Sequence, residues 1–284
     1  MQRSLPVSVR WNNWMLTEEP ELSGLKNRII EKIFYTNSKL PEQYLDLCLP
    51  DCDTFPVFVY LHGGGLTRKT PIVERTEPRT VKGFAEYLVK NGVAVILAEY
   101  RCYPDACYPD FIVDAASVVA WAKNHMSEYG NVTGLFVGGA SAGGYLTQML
   151  CFDKKYLGKH NIDPDSITGY LMDAGQPTTH FNVLKERGID SRRVIVDEAA
   201  PLYHICADRD YPPMQIIVAE NDMKNRYEQT QLLISTLKHF GHDENKIDYR
   251  FMPGYKHCEY GKYFDEDGNN ILGKVYYDFI SKHV

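Results

Sequence analysis

The stretch Leu135 to Leu150, LFVGGASAGGYLTQML, decides how the chain is read. Leu135, Phe136 and Val137 form a short apolar run of strand formers, and Tyr145 to Cys151 continues as an apolar helical face. Between them lies Gly139-Ala140-Ser141-Ala142-Gly143, a GxSxG pattern. A serine at the apex of so tight a strand-to-helix turn sits in strained backbone, and its neighbours must be small for strand and helix to close on each other. Every flanking position is Gly or Ala. Strand, turn and helix together make Ser141 a candidate nucleophile rather than part of a Gly/Ser-rich loop.

Upstream, Val57-Phe58-Val59-Tyr60-Leu61 reads as a strand buried on both faces, and it runs directly into His62-Gly63-Gly64-Gly65. Three glycines after a buried strand free successive N–H groups to converge on one cavity, which is what the oxyanion of an acyl transfer requires. Around these two motifs, strands and helices alternate. Tyr44 to Leu49 predicts a strand, Pro50 to Pro56 a turn, Val81 to Val89 a helix, and Val93 to Ala98 a buried strand. A proline-containing loop, Tyr100 to Asp110, leads to a helix over Phe111 to Met126. Strands follow at 169–173, 215–219 and 246–252, with helices over 227–240 and 272–280. The alternation implies an α/β fold: a mostly parallel central sheet with helices on both faces, and reactive groups in loops at the carboxyl ends of the strands.

That placement selects partners for the serine. A serine hydroxyl needs a neutral imidazole within hydrogen-bond reach, and a carboxylate behind the imidazole to fix its tautomer. Of the nine histidines, His257 lies in the loop just past the strand ending at Met252. His62 stands beside the glycines, where it is expected to hold the loop. His125, His160, His239 and His242 fall on helices or their ends and read as surface. For the acid, Asp222 lies a few residues beyond Ile216-Ile217-Val218-Ala219, with Glu220 as its rival; Asp208 and Asp210 precede the strand, at the opposite edge. Activity is expected to rise with pH as the imidazole loses its proton.

These residues carry a resemblance. His62 to Gly65, the Gly139 to Gly143 elbow, and then Asp222 and His257 in the order Ser, Asp, His resemble the α/β-hydrolase fold, specifically hormone-sensitive-lipase-like and bacterial acetyl or feruloyl esterase-like carboxylesterases. The likeness runs from about Gln43 to the C-terminus, and Glu99-Tyr100-Arg101 resembles the stretch that those esterases place before the elbow. It implies a Ser141–His257–Asp222 acyl-enzyme mechanism, needing no cofactor or metal, with an oxyanion hole made by the N–H groups of Gly63, Gly64 and Ala142. Two departures weigh against long-chain lipase activity: an N-terminal arm shorter than a full cap, and the polar run Leu66-Thr67-Arg68-Lys69-Thr70 after the glycines.

The rest of the chain bounds the reading. A length of 284 residues with 44% hydrophobic composition suits a single domain over 1–284, with residues 1–42 as an arm and 43–284 as the catalytic core. Trp11 and Trp14, and Leu25, Ile29 and Ile33, stand at helical spacing, so the arm is expected to pack helically, as plain core cover or as a partial cap over the site. A net charge of −6 without a basic stripe argues against nucleic acid. No run approaches the roughly 18 apolar residues of a membrane span, and Met1 to Arg10 is too short and polar for a signal peptide, so the chain reads as cytoplasmic. Its expected partners are a small-molecule ester and, in a homodimer, a second copy. The seven cysteines are odd in number and lack CxxC spacing, which favours free thiols over a metal site or a disulfide scaffold.

The segment from Gln176 to Tyr211 mixes His180, Arg187, Arg192, Arg193, Tyr203, His204 and Tyr211. It reads as solvated surface or as a polar pocket for the alcohol half of a sugar acetate or feruloylated sugar. Rival functions are an amidase with the same triad, such as an aryl formamidase or small peptidase, a non-catalytic receptor-like protein of this fold, and a structural module.

Overall fold

Residues 28–67 and 78–284 are described by the computed structural model. Eight strands form one sheet: β1 (Arg28–Phe34), β2 (Tyr44–Leu49), β3 (Thr54–Leu61), β4 (Ala94–Ala98), β5 (Asn131–Ala140), β6 (Gly169–Asp173), β7 (Met214–Asn221) and β8 (Ile247–Lys256). Their spatial order is β1-β2-β4-β3-β5-β6-β7-β8. β1 runs antiparallel to β2 and β2 antiparallel to β4, while every pair from β4 across to β8 is parallel. The order of progression reverses at β3, which lies between β4 and β5, so a crevice opens where the loops after β3 and β5 diverge.

Both faces of the sheet are covered, which is why its strands read as continuous apolar runs. Val57, Val59 and Leu61 of β3 point into one core with Phe111, Ala115 and Val119 of α2 (Asp110–His125) and Tyr145, Leu146 and Met149 of α3 (Ala142–Phe152). Leu233 and Leu237 of α6 (Arg226–His239) join that layer. Phe58 and Tyr60 point the other way, into a core with Phe84 and Leu88 of α1 (Pro78–Lys90) and Leu272, Tyr276 and Phe279 of α7 (Ile271–Lys282). Short helices α4 (Lys154–Gly158) and α5 (Phe181–Glu186) lie in the connections.

The sequence expectation fails at the N-terminus. Ile29 and Ile33, whose spacing suggests a helix, belong to edge strand β1, so the sheet begins at Arg28 and not at residue 43. The strand also carries a bulge. Ile30 pairs with Leu47 and Ile33 with Leu45, three residues against two, and Lys32 takes a positive φ of 55° with its N–H donated to Asp46 Oδ1 at 2.7 Å. A spacing of four between Ile29 and Ile33 fits a helical face and an alternating strand equally, and the bulge sends the two side chains to opposite faces of the sheet, Ile33 joining the core of Ile30 and Ile29 the other. Leu25, Trp11 and Trp14, and with them the partial-cap reading, lie outside the described residues.

Candidate active site

Ser141 stands between the last residue of β5 and the first of α3, with φ 57° and ψ −109°. A non-glycine residue in this region costs on the order of 1–3 kcal/mol and persists only where its surroundings fix it. Here the Ser141 N–H donates to Asp173 O at 2.8 Å, and Ser141 O accepts from Tyr145 N at 3.0 Å. The two motif glycines press on the end of β3. A Cβ on Gly139 would come within 2.3 Å of Leu61 O, and one on Gly143 within 1.8 Å of the same atom. The GxSxG spacing is thus the imprint of strand and helix closing on one carbonyl.

Asp222 directly follows β7 and His257 directly follows β8, so both reach the sheet end that carries Ser141. His257 Nε2 lies 2.8 Å from Ser141 Oγ, and Nδ1 lies 2.5 Å from Asp222 Oδ1. The Asp222 side chain is 1% exposed and also accepts from Met223 N at 2.7 Å and Ala219 N at 3.3 Å. A carboxylate offering only acceptors fixes the His257 proton on Nδ1 and turns the Nε2 lone pair to the serine. Glu220 is engaged elsewhere: its Oε2 accepts from Gly254 N at 2.7 Å, tying β7 to the strand that carries His257. Asp210 pairs with Lys246 Nζ at 2.5 Å, just before β8 begins and hence at the opposite end of the sheet.

Gly63 follows β3 and faces the elbow; a Cβ on it would sit 3.1 Å from Ala140 O and 3.4 Å from Ser141 Cβ. Among the described residues the N–H groups of Gly63, Gly64 and Ala142 donate to no protein acceptor. Their loop is held from behind. His62 Nδ1 donates to Gly63 O at 2.6 Å, its Nε2 meets Glu99 Oε1 at 2.9 Å, and its ring stacks on Tyr100, whose OH donates to His62 O at 2.6 Å. From the front, Asn182 Nδ2 donates to Gly65 O and to Thr67 Oγ1. His62 therefore holds the loop, as its position suggested.

The segment 176–211 divides between wall and surface. His180 is buried, caps α5 by accepting from Asn182 N at 3.2 Å, and lies against Phe181 and Tyr145. Burial, reinforced by the Arg226 and Lys185 charges, pulls His180 down to about 3, so it is neutral. Arg187 pairs with Asp197 and Arg192 with Asp190 on the surface, Arg193 and Tyr203 are exposed, Tyr211 is buried, and His204 Nε2 meets Glu198 O at 2.9 Å. The polar-pocket reading thus survives only around His180 and Asn182.

Two further groups escaped the sequence reading. Asp173, ending β6, is fully buried behind the triad with Tyr260 OH and Tyr276 OH donating to its carboxylate. Its one visible signal is an aspartate closing an apolar strand run. Arg226, the first residue of α6, is buried beside the acid loop and had no signal at all. All seven cysteines are free, and among the described residues no group of three or more His, Cys, Asp or Glu is placed to hold a metal ion. Among those residues, too, no helix is long and apolar enough to cross a membrane.

The BD-FAE family model matches residues 45–168, which carry the glycine loop and the elbow, and Esterase LipC of Mycobacterium tuberculosis is 23% identical over 71% of this chain and 52% of its own. The chain has the α/β-hydrolase fold. The chain spans about half the length of the curated relatives it matches. Among solved structures, a truncated carbohydrate esterase from gut microbiota superposes with a TM-score of 0.74 at 15% identity, covering 94% of this chain and 99% of the other. Esterase B of Lactobacillus rhamnosis gives a TM-score of 0.71 at 18% identity over 93% and 89%. At these identities the likeness speaks for the fold, and Asp222 and His257 lie beyond the matched family region.

Proposed function

We propose that this hydrolase cleaves short-chain carboxylic esters through a Ser141 acyl-enzyme. The observation that carries the proposal is the continuous hydrogen-bonded line Ser141 Oγ, His257, Asp222, with distances of 2.8 and 2.5 Å. Ser141 Oγ attacks the ester carbonyl while His257 Nε2 takes its proton, and buried Asp222 stabilises the imidazolium. The undonated N–H groups of Gly63, Gly64 and Ala142 receive the developing oxyanion, each worth on the order of 100- to 1000-fold in rate. His257 then returns the proton to the leaving alcohol, and water repeats the sequence to release the acid. The polar run after the glycines, and Asn182 holding Gly65 O, count against a long apolar acyl chain. Acetylated carbohydrate is the natural substrate class to try, given the carbohydrate esterase among the structural neighbours.

The test is hydrolysis of p-nitrophenyl acetate, butyrate and octanoate by the wild type and Ser141→Ala, with acetylated xylo-oligosaccharide and N-formylkynurenine in parallel. Turnover is expected to fall with acyl length and to drop by at least about 10⁴-fold in the variant. Preference for N-formylkynurenine would move the reading to an amidase, and a folded wild type inert on every substrate would refute it.

A further inference from the structure

Arg226 is 5% exposed, and its Nη1 is closed off from solvent with no hydrogen-bond partner. Among the described residues no carboxylate lies within ion-pair distance of it. Elsewhere this fold does satisfy its buried guanidinium groups. Arg209, with a side chain equally buried, holds Asp165 and the carbonyls of Cys151 and Phe152, and even the partly exposed Arg101 grips Asp114 with two nitrogens. Leaving a cation buried and unpaired costs several kcal/mol. The cost falls beside the catalytic centre.

The position follows from the groups that share its field. Asp222 and Cys258, the residue after His257, act on Arg226, and the Arg226 charge in turn reaches His180. One helical turn on, Gln229 Oε1 accepts from Thr178 Oγ1 at 3.1 Å, which fixes the start of α6 against the loop bearing His180. That helix start adds to the positive field, because Asn225 at the N-cap takes φ 65° and makes no side-chain cap. Asp222 does not serve as the missing partner: it makes no ion pair with Arg226, and its oxygens turn to His257 Nδ1, Met223 N and Ala219 N. The arrangement is a buried planar cation close to Asp222 and the residue after His257, wanting an anion.

We propose that Arg226 receives a carboxylate carried by the substrate, so that this hydrolase selects esters bearing an anionic group a few bonds from the scissile carbonyl. The inference rests on the ester-hydrolase reading above. A carboxylate matches the guanidinium fork, and the bond formed is charge-assisted. The anion can belong to the acyl half or to the alcohol half.

Two isosteric pairs separate these sources: ethyl hydrogen succinate against ethyl succinamate for the acyl half, and acetoxyacetate against acetoxyacetamide for the alcohol half. In the wild type kcat/KM is expected to favour the acid over its amide in one pair, and Arg226→Met to lower that acid-to-amide ratio on the order of 100-fold, with Arg226→Lys between. A wild-type ratio at or below one in both pairs, or an unchanged ratio in Arg226→Met, overturns the inference. Binding is read separately, from the rise in Tm with succinate or glycolate, expected in the wild type and absent in Arg226→Met. No rise in the wild type also overturns it. A wild type inert on p-nitrophenyl acetate and all four esters counts against the ester-hydrolase reading, and the Tm measurement then decides the Arg226 site alone. Without anion, Arg226→Met is expected to melt at or above the wild type, since an apolar side chain replaces an unpaired cation. A markedly lower Tm would show a structural role and refute the proposal.

Discussion

Asp173→Asn should make stability depend on pH in a way the structure fixes in sign and size. The Asp173 carboxyl is fully buried, and burial pushes it from 3.8 up to about 7. Tyr260 and the His257 charge oppose the rise, Asp222 adds to it, and Tyr276 opposes it weakly. In the unfolded chain the same group titrates near 3.8. Between these values the native state holds a proton that the unfolded state has lost, so stability falls as pH rises through the window. About three pH units at 1.36 kcal/mol each give a penalty of about 4 kcal/mol, complete above pH ~7 and absent below ~4. Asparagine does not ionise and escapes it. An unfolding entropy of about 2.1 cal/mol/K per residue over 284 residues converts this to a gap of about 7 °C. The assay is thermal unfolding of both proteins in steps from pH 4 to 8. Asparagine has one acceptor oxygen for two tyrosine hydroxyls, which offsets the curves by a constant and cancels in the comparison. The Tm of Asp173→Asn relative to wild type should climb by about 7 °C across the range. A gap that stays flat refutes the reasoning, because it would mean that the carboxyl is already ionised at pH 4 in the folded protein.

Asp222→Asn keeps a carbonyl oxygen where Met223 N–H and His257 Nδ1 meet but removes the charge behind the imidazolium, and kcat is expected to fall by roughly 10²- to 10⁴-fold. A loss under tenfold in p-nitrophenyl acetate hydrolysis would place the acid elsewhere. Gly143→Ala puts a Cβ 1.8 Å from Leu61 O, and backbone must move to accommodate it. Overpacking of about 3 kcal/mol or more should lower Tm by at least about 5 °C in a chain of this length, and an unshifted Tm would contradict the close approach.

What the sequence disclosed and what it concealed have different physical causes. The elbow was legible because its geometry is a steric demand on residue type: only glycine fits where Gly139 and Gly143 meet Leu61 O, so the constraint is written in the letters themselves. The meeting of Ser141, Asp222 and His257 was legible because strand ends in a parallel sheet face one way. β1 misled because a spacing of four, as between Ile29 and Ile33, fits both a helical face and an alternating strand, and the bulge at Lys32 that sends the two to opposite faces leaves no mark in the residue types. Asp173 and Arg226 were hidden for another reason. An aspartate closing a strand and an arginine opening a helix are both ordinary at a surface, and only the fold makes them unusual. Pairing of Ala140 with Asp173 carries that carboxyl under the nucleophile, and the short step from Asp222 to Arg226 draws a guanidinium in beside the acid. Residue type records where an atom cannot fit, but the cost of burying a charge depends on the assembled surroundings. In this chain the steric constraints mark where the candidate site lies, and the two buried ionisable groups bear on how it behaves: Asp173 through the pH dependence of stability, and Arg226, on the inference above, through the charge of the ester it would select.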